Sequence, residues 1–141
     1  MSNSAAALAQ NPQSLRFVAR QPIFDRQRRL FGYELLFRDD SLKVGKPIAG
    51  RLRITDGAGK PFTQLEPVMD SFAHLVGFYE DRKTVLHIHP NGAPVLSPGA
   101  RGGPDLEFQF YAMRPGVVRL FAQVQIADAP KIVPFAIQIT Q

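Results

Sequence analysis

The chain has 141 residues, of which 45% are apolar and 10% aromatic, and this is enough for one domain with a hydrophobic core. It is too short for a (β/α)₈ barrel, and it has no run of roughly 18 apolar residues that could cross a membrane. The lack of cysteine excludes disulfides, thiol nucleophiles and cysteine-based metal sites, and a net charge of +5 without a long basic stripe argues against nucleic-acid binding.

The first segment, residues 1–14, is small and polar. It has neither the basic stretch nor the apolar stretch of a secretory signal. We therefore expect a disordered N-terminal tail and, from the sequence as given, a cytoplasmic protein.

Two apolar, aromatic-rich stretches follow at residues 16–24 and 29–37, separated by four polar residues. Their length and the polar break predict a β-hairpin, which we assign to a separate segment, residues 15–43. Pro22 cannot donate a hydrogen bond to a sheet, so we expect it at a strand end or on an edge strand.

The sequence RFVARQPIFDRQRRLFGYELLFRDD (residues 16–40) resembles the opening of EAL domains, particularly those of EAL–HDOD signalling proteins. Glu34, Leu35 and Leu36 stand where that family has its Glu-Ala-Leu signature. The resemblance implies a link to cyclic di-GMP, whose hydrolysis in the family needs carboxylates, an Asn and a Lys around divalent metal, spread over a whole barrel. Because the match ends at residue 40, it implies a degenerate signalling fragment without catalytic activity.

From residue 44 to residue 141 apolar and polar residues alternate, with turn signals between the strands. The pattern predicts two antiparallel sheets packed face to face, as an immunoglobulin-like β-sandwich. Pro134 predicts an edge position at the start of the last strand, or a bulge. The predicted strands are residues 51–55, 74–79, 84–89, 105–111, 117–126 and 132–140, and the aromatic residues assigned to the core are Phe108, Phe110, Phe121 and Phe135.

All three histidines, His74, His87 and His89, lie in the predicted strands at residues 74–79 and 84–89. If the hairpin reverses at residues 81–82, His74 lies opposite His89 and Val76 lies opposite His87. Opposed residues, and residues two apart on one strand, share a face of the sheet. The three imidazoles then project together, whereas a slip of one residue would separate His74 from the other two.

Three imidazoles in this arrangement suit Cu(II), Zn(II) or Ni(II), and Met69, Glu66 or a water molecule could complete the coordination. Two other interpretations remain open. The histidines can form a hydrogen-bonded structural cluster, or they can act as a pH-sensitive or other binding group.

The segments LEP (65–67), HLV (74–76), LHIHP (86–90) and PGVVRL (115–120) resemble small bacterial extracytoplasmic β-sandwich domains of the YtkA-like and cupredoxin-like groups. Those domains are found near copper- and heavy-metal-handling proteins. The resemblance implies a β-sandwich outside the cytoplasm, although no export signal is visible in this sequence.

The sequence therefore favours a non-enzymatic β-sandwich module that binds copper or zinc through His74, His87 and His89. The alternative is an interaction module, in which the N-terminal hairpin docks onto a partner or a sheet edge and forms a homo-oligomer by strand addition. A third hypothesis is the degenerate EAL-type fragment.

Overall fold

The structure is a computed structural model, and it describes residues 15–24, 29–38 and 42–141. The predicted disordered tail, residues 1–14, lies outside the described residues. In the described part every regular element is a strand: β1 (Leu15–Phe24), β2 (Leu30–Arg38), β3 (Pro47–Asp56), β4 (His74–Tyr79), β5 (Val85–Ile88), β6 (Asp105–Tyr111), β7 (Gly116–Ile126) and β8 (Ala129–Ile139).

The strands form two four-stranded sheets in the orders β1-β2-β3-β6 and β5-β4-β7-β8, and neighbouring strands are antiparallel. The chain is therefore all-β, and the predicted β-sandwich is confirmed; its immunoglobulin-like character stays a prediction. In the ranges that the structure describes, no helix is long and apolar enough to span a membrane.

The core lies between the two sheets because every second residue of the long strands is apolar and points inwards. In β7 the inward residues include Leu120, Ala122 and Val124, which are fully buried. From the first sheet, Leu52 and Ile54 belong to the same buried cluster. Alternating burial of this kind is what the sequence pattern predicted.

The N-terminal hairpin is part of this sandwich. β2 pairs with β3 over seven residue pairs, among them Leu35 with Leu52. The ring of Tyr33 on β2 packs edge-on against Phe135 of β8, with ring centroids 5.0 Å apart, and its hydroxyl donates a hydrogen bond of 3.4 Å to the carbonyl of Pro134. The predicted division between residues 15–43 and 44–141 therefore does not coincide with a break in the sheet.

The structure corrects one predicted core residue. Phe108, Phe110 and Phe135 are buried, but Phe121 is 36% exposed. It lies between Leu120 and Ala122, which both face the core, so alternation sends its side chain to the opposite, outer face of β7. There its ring packs edge-on against Phe78, with ring centroids 6.0 Å apart.

Both prolines assigned to edge positions lie on edge strands, Pro22 on β1 and Pro134 on β8. Pro134 is nevertheless in the middle of β8, because that strand begins at Ala129 rather than at the predicted residue 132. An edge strand tolerates proline because one side of its backbone has no neighbouring strand.

Candidate metal centre

The β4–β5 hairpin has the register that the sequence predicted. Leu75 pairs with Ile88 and Val76 with His87. Leu75 and Ile88 are buried in the core, so His74 and His87 point to the outer face of the second sheet, and His89 follows one residue beyond the end of β5.

Asp81 fixes the turn of this hairpin. One oxygen, Oδ1, accepts hydrogen bonds of 3.0 Å from the backbone amides of Lys83 and Thr84, while Oδ2 accepts the Thr84 hydroxyl at 2.7 Å and the guanidinium of Arg114. These bonds, first of all that from the Thr84 amide, hold the pKa of Asp81 well below its usual range. The carboxylate thus determines where the chain reverses, and with it the register of the histidines.

Replacement of Asp81 by alanine is expected to loosen this turn and to weaken metal binding several-fold, because His87 and His89 lose their fixed positions. Amide hydrogen exchange should become faster in β5. The matched control is Asp56→Ala, which removes the carboxylate that accepts the amides of Ala58 and Lys60, both at 2.9 Å, in a turn without histidine. Unchanged exchange in β5 of the Asp81 variant would contradict this role.

The three histidines form one cluster. The ring centroids lie 5.8 Å apart for His74 and His87, 4.7 Å for His74 and His89, and 4.6 Å for His87 and His89. One nitrogen from each ring lies within 4.8 Å of the other two. Among the described residues, this is the group of three or more metal-ligating side chains that is close enough to hold one ion.

His74 anchors the cluster because its ring orientation is fixed by a hydrogen bond. Its Nε2 lies 3.0 Å from the carbonyl oxygen of Met69, and its side chain is almost completely buried, with 5% of the residue exposed. A carbonyl oxygen only accepts hydrogen bonds, so Nε2 carries the proton. In the neutral tautomer with the proton on Nε2, Nδ1 carries a free lone pair, and this buried atom has no hydrogen-bond partner among the described residues.

This arrangement is typical of a histidine that binds a metal. Metal-ligating imidazoles almost always donate their other ring N–H to a carboxylate, a backbone carbonyl or water. A buried polar atom without a partner costs about 1–3 kcal/mol, and a metal bond would remove that cost for Nδ1 of His74.

The Met69 carbonyl is held by a tight turn. Val68 and Ser71 exchange backbone hydrogen bonds of 2.6 and 3.2 Å, and between them Met69 and Asp70 have φ angles of 47° and 65°. The left-handed conformation is uncommon for residues other than glycine, and such backbone concentrates at binding and active sites. The turn thereby supplies the hydrogen-bond acceptor for His74.

The electrostatic environment favours the neutral form of His89. Desolvation lowers the pKa of His89, and the nearby charges of His74 and His87 lower it further. Because a metal ion binds the unprotonated imidazole, the environment of His89 favours the form that can coordinate a metal.

The other proposed ligands have different positions. The carboxylate of Glu66 accepts the backbone amide of Asp128 at 3.0 and 3.2 Å, so it is held at the β7–β8 turn and is not part of the cluster. Met69 acts on His74 through its backbone carbonyl, and its side chain is 68% exposed. Sequence reasoning missed this role because any residue type carries a carbonyl. Glu34, which matches the EAL signature, lies on β2 opposite Arg53.

The fold and the cluster together define a β-sandwich protein with three histidines gathered on the outer face of one sheet. The chain belongs to the family described as domain of unknown function DUF8832, whose sequence model matches residues 28–141. No curated protein and no solved structure matches the chain. The resemblances to YtkA-like and EAL domains therefore remain predictions.

Proposed function

We propose that this protein is a non-enzymatic β-sandwich module that binds copper or zinc through His74, His87 and His89. The observation that carries the proposal concerns His74, whose Nε2 is fixed on the Met69 carbonyl while its buried Nδ1 has no partner in the described part of the chain. A histidine that only stabilised the fold would be expected to satisfy both ring nitrogens or expose one to water.

The distances between the ring nitrogens fit a site in which the histidine side chains move slightly towards a bound ion. Nitrogen ligands about 2.0–2.1 Å from a tetrahedral ion lie roughly 3.3–3.4 Å from one another. The nitrogens here lie within 4.8 Å, so small rotations of the exposed His87 and His89 bring all three to one ion, while His74 stays in place. Nitrogen ligands bind Cu(II) more tightly than Zn(II), so we expect the higher affinity for copper.

The resemblance of residues 65–120 to domains found near copper-handling proteins also supports this function. The same resemblance supports a location outside the cytoplasm, which is part of the proposal. The alternative of a homo-oligomer rests on the hairpin, whose strand β2 already pairs with β3 of its own chain. Strand addition would therefore have to use β1, at the edge of the first sheet.

The proposal is tested by calorimetric titration of Cu(II) and Zn(II) into the wild-type chain and the His87→Ala/His89→Ala variant. We expect one ion per chain and a loss of affinity of roughly a hundredfold or more in the variant, since two of three ligands are removed. Both residues are exposed, so the variant should fold. The control Gln138→Ala changes an exposed residue of β8 and should leave the affinity unchanged. Equal affinities of the wild type and the double variant would refute the proposal.

A further inference from the structure

A cavity of about 530 Å³ adjoins the histidine cluster. It lies between the turn that holds the Met69 carbonyl, the loop after β5 and the beginning of β6. Its volume falls within the roughly 300–1,000 Å³ typical of pockets for small molecules. The residues that matter for its chemistry are His89, Met69, Asp70, Asn91, Asp105 and Leu106.

The cavity and the metal centre share His89. This residue is one of the three clustered histidines, and it also lines the cavity. A molecule in the cavity is therefore next to any ion that the histidines hold. Three histidines leave at least one coordination position of the ion open, and open positions take water or a ligand.

The charge of the cavity wall is negative. The described residues that line it include Asp70 and Asp105 but no lysine or arginine. Asp105 is paired with Arg53 at 3.5 Å, whereas the carboxylate of Asp70 has no hydrogen bond or ion pair with any described residue. Asp70 is thus the uncompensated charge, and a cationic group is its natural partner.

We propose that the cavity binds a small molecule that carries both a metal-binding donor atom and a cationic group. The donor atom occupies the open coordination position of the ion, and the cationic group contacts Asp70. Apolar wall residues such as Phe72, Pro90 and Leu106 bury the body of the molecule. This inference rests on the proposed function, because the metal ion binds the donor atom of the molecule.

The test uses the Cu(II)-loaded chain and three pyridines that differ only in the group opposite the ring nitrogen. They are para-(aminomethyl)pyridine, which is cationic, para-methylpyridine, which is neutral, and isonicotinate, which is anionic. None can chelate one ion through both ends, so coordination is reported by the shift of the copper absorption band. We expect the cationic probe to bind about two- to fivefold more tightly than the neutral one, and the anionic probe to bind most weakly.

Two matched variants assign the effect to Asp70. Asp70→Asn keeps the size of the side chain, and asparagine tolerates the left-handed backbone found there. Asp128→Asn is the control, since Asp128 also has a left-handed φ, of 59°, but lies outside the cavity. The preference for the cationic probe should disappear in the first variant and persist in the second.

Equal binding of the three probes, no shift of the absorption band with any of them, or a preference that survives in Asp70→Asn would overturn the inference while leaving the metal site intact. Failure of the wild-type chain to take up Cu(II) would overturn the proposed function as well. That result is seen before any probe is added, so the two failures are distinguishable.

Discussion

Replacement of Phe108 by alanine is expected to reduce the free energy of unfolding by about 3–5 kcal/mol. The Phe108 side chain is completely buried on β6, and its ring packs edge-on against Phe37 of β2, with centroids 5.8 Å apart. Removing it deletes a large apolar contact area and leaves a cavity between strands that cannot fully close. Urea denaturation of the wild type and the variant measures the difference.

The fit around Phe108 explains why the loss should be large. Phe108 lies opposite Gly50 of β3, and a Cβ atom at Gly50 would come within 2.6 Å of Phe108 Cζ and 2.8 Å of Phe37 Cε1. The rings therefore fill the space above this glycine. The control is Tyr111→Ala. Tyr111 lies on the same strand but is 53% exposed, and we expect its replacement to change the free energy of unfolding by no more than about 0.5 kcal/mol. Equal losses in the two variants would contradict this description of the core.

The strands could be predicted where alternation is regular and turns are clearly marked. The bounds of β4 and β6 are those expected from the sequence. In β6 every second residue is apolar and glycine and proline precede the strand, whereas β4 is marked by the polar Glu80 and Asp81 that follow it. β3 begins earlier than predicted, at Pro47. The alternation of apolar and polar residues is interrupted at Gly50, because glycine has no side chain that marks it as facing the core. Its inward position depends on Phe37 and Phe108, which are distant in sequence.

The place of the hairpin could not be predicted from local pattern. A change of composition near residue 44 suggested a boundary, but strand pairing is decided by tertiary contacts. Tyr33 illustrates this: its packing on Phe135 joins β2 to the last strand, about a hundred residues later in the chain. Periodicity gives the face of each residue, not the strand beside it.

The sequence predicted which side chains form the candidate metal site, but it did not predict the loops around them. The polar residues between β4 and β5 fix the reversal, so the register of the three histidines followed from the sequence. Three features depend on loop backbone, whose conformation the sequence pattern does not specify: the Met69 carbonyl, the buried Nδ1 of His74 without a partner among the described residues, and the cavity beside His89. These are the features from which the proposed function and ligand are argued.

Lowering the pH should weaken metal binding steeply. Each of the three imidazoles must be unprotonated to coordinate the ion, so below their pKa values the affinity falls by up to about tenfold per histidine and pH unit. The lowered pKa of His89 delays its protonation, so we expect a nearly constant affinity above about pH 7 and a large loss by about pH 5. Calorimetric titration of Zn(II) between about pH 5 and pH 7 measures the change in affinity. A constant affinity would contradict coordination by histidine.

The same protons link the metal to folding stability. The lowered pKa of His89 means that the unfolded chain takes up a proton more readily than the folded one, so the metal-free protein loses stability as the pH falls through the ordinary histidine range.

A bound ion adds stability by mass action, about 2.7 kcal/mol at a free ion concentration a hundred times the Kd. At neutral pH, Zn(II) should therefore raise the Tm of the wild type, and a chelator should reverse the shift. At about pH 5 the increase in Tm should be nearly absent, because protonated histidines cannot bind the ion. The His87→Ala/His89→Ala variant should show little increase at either pH, because it lacks two of the three ligands.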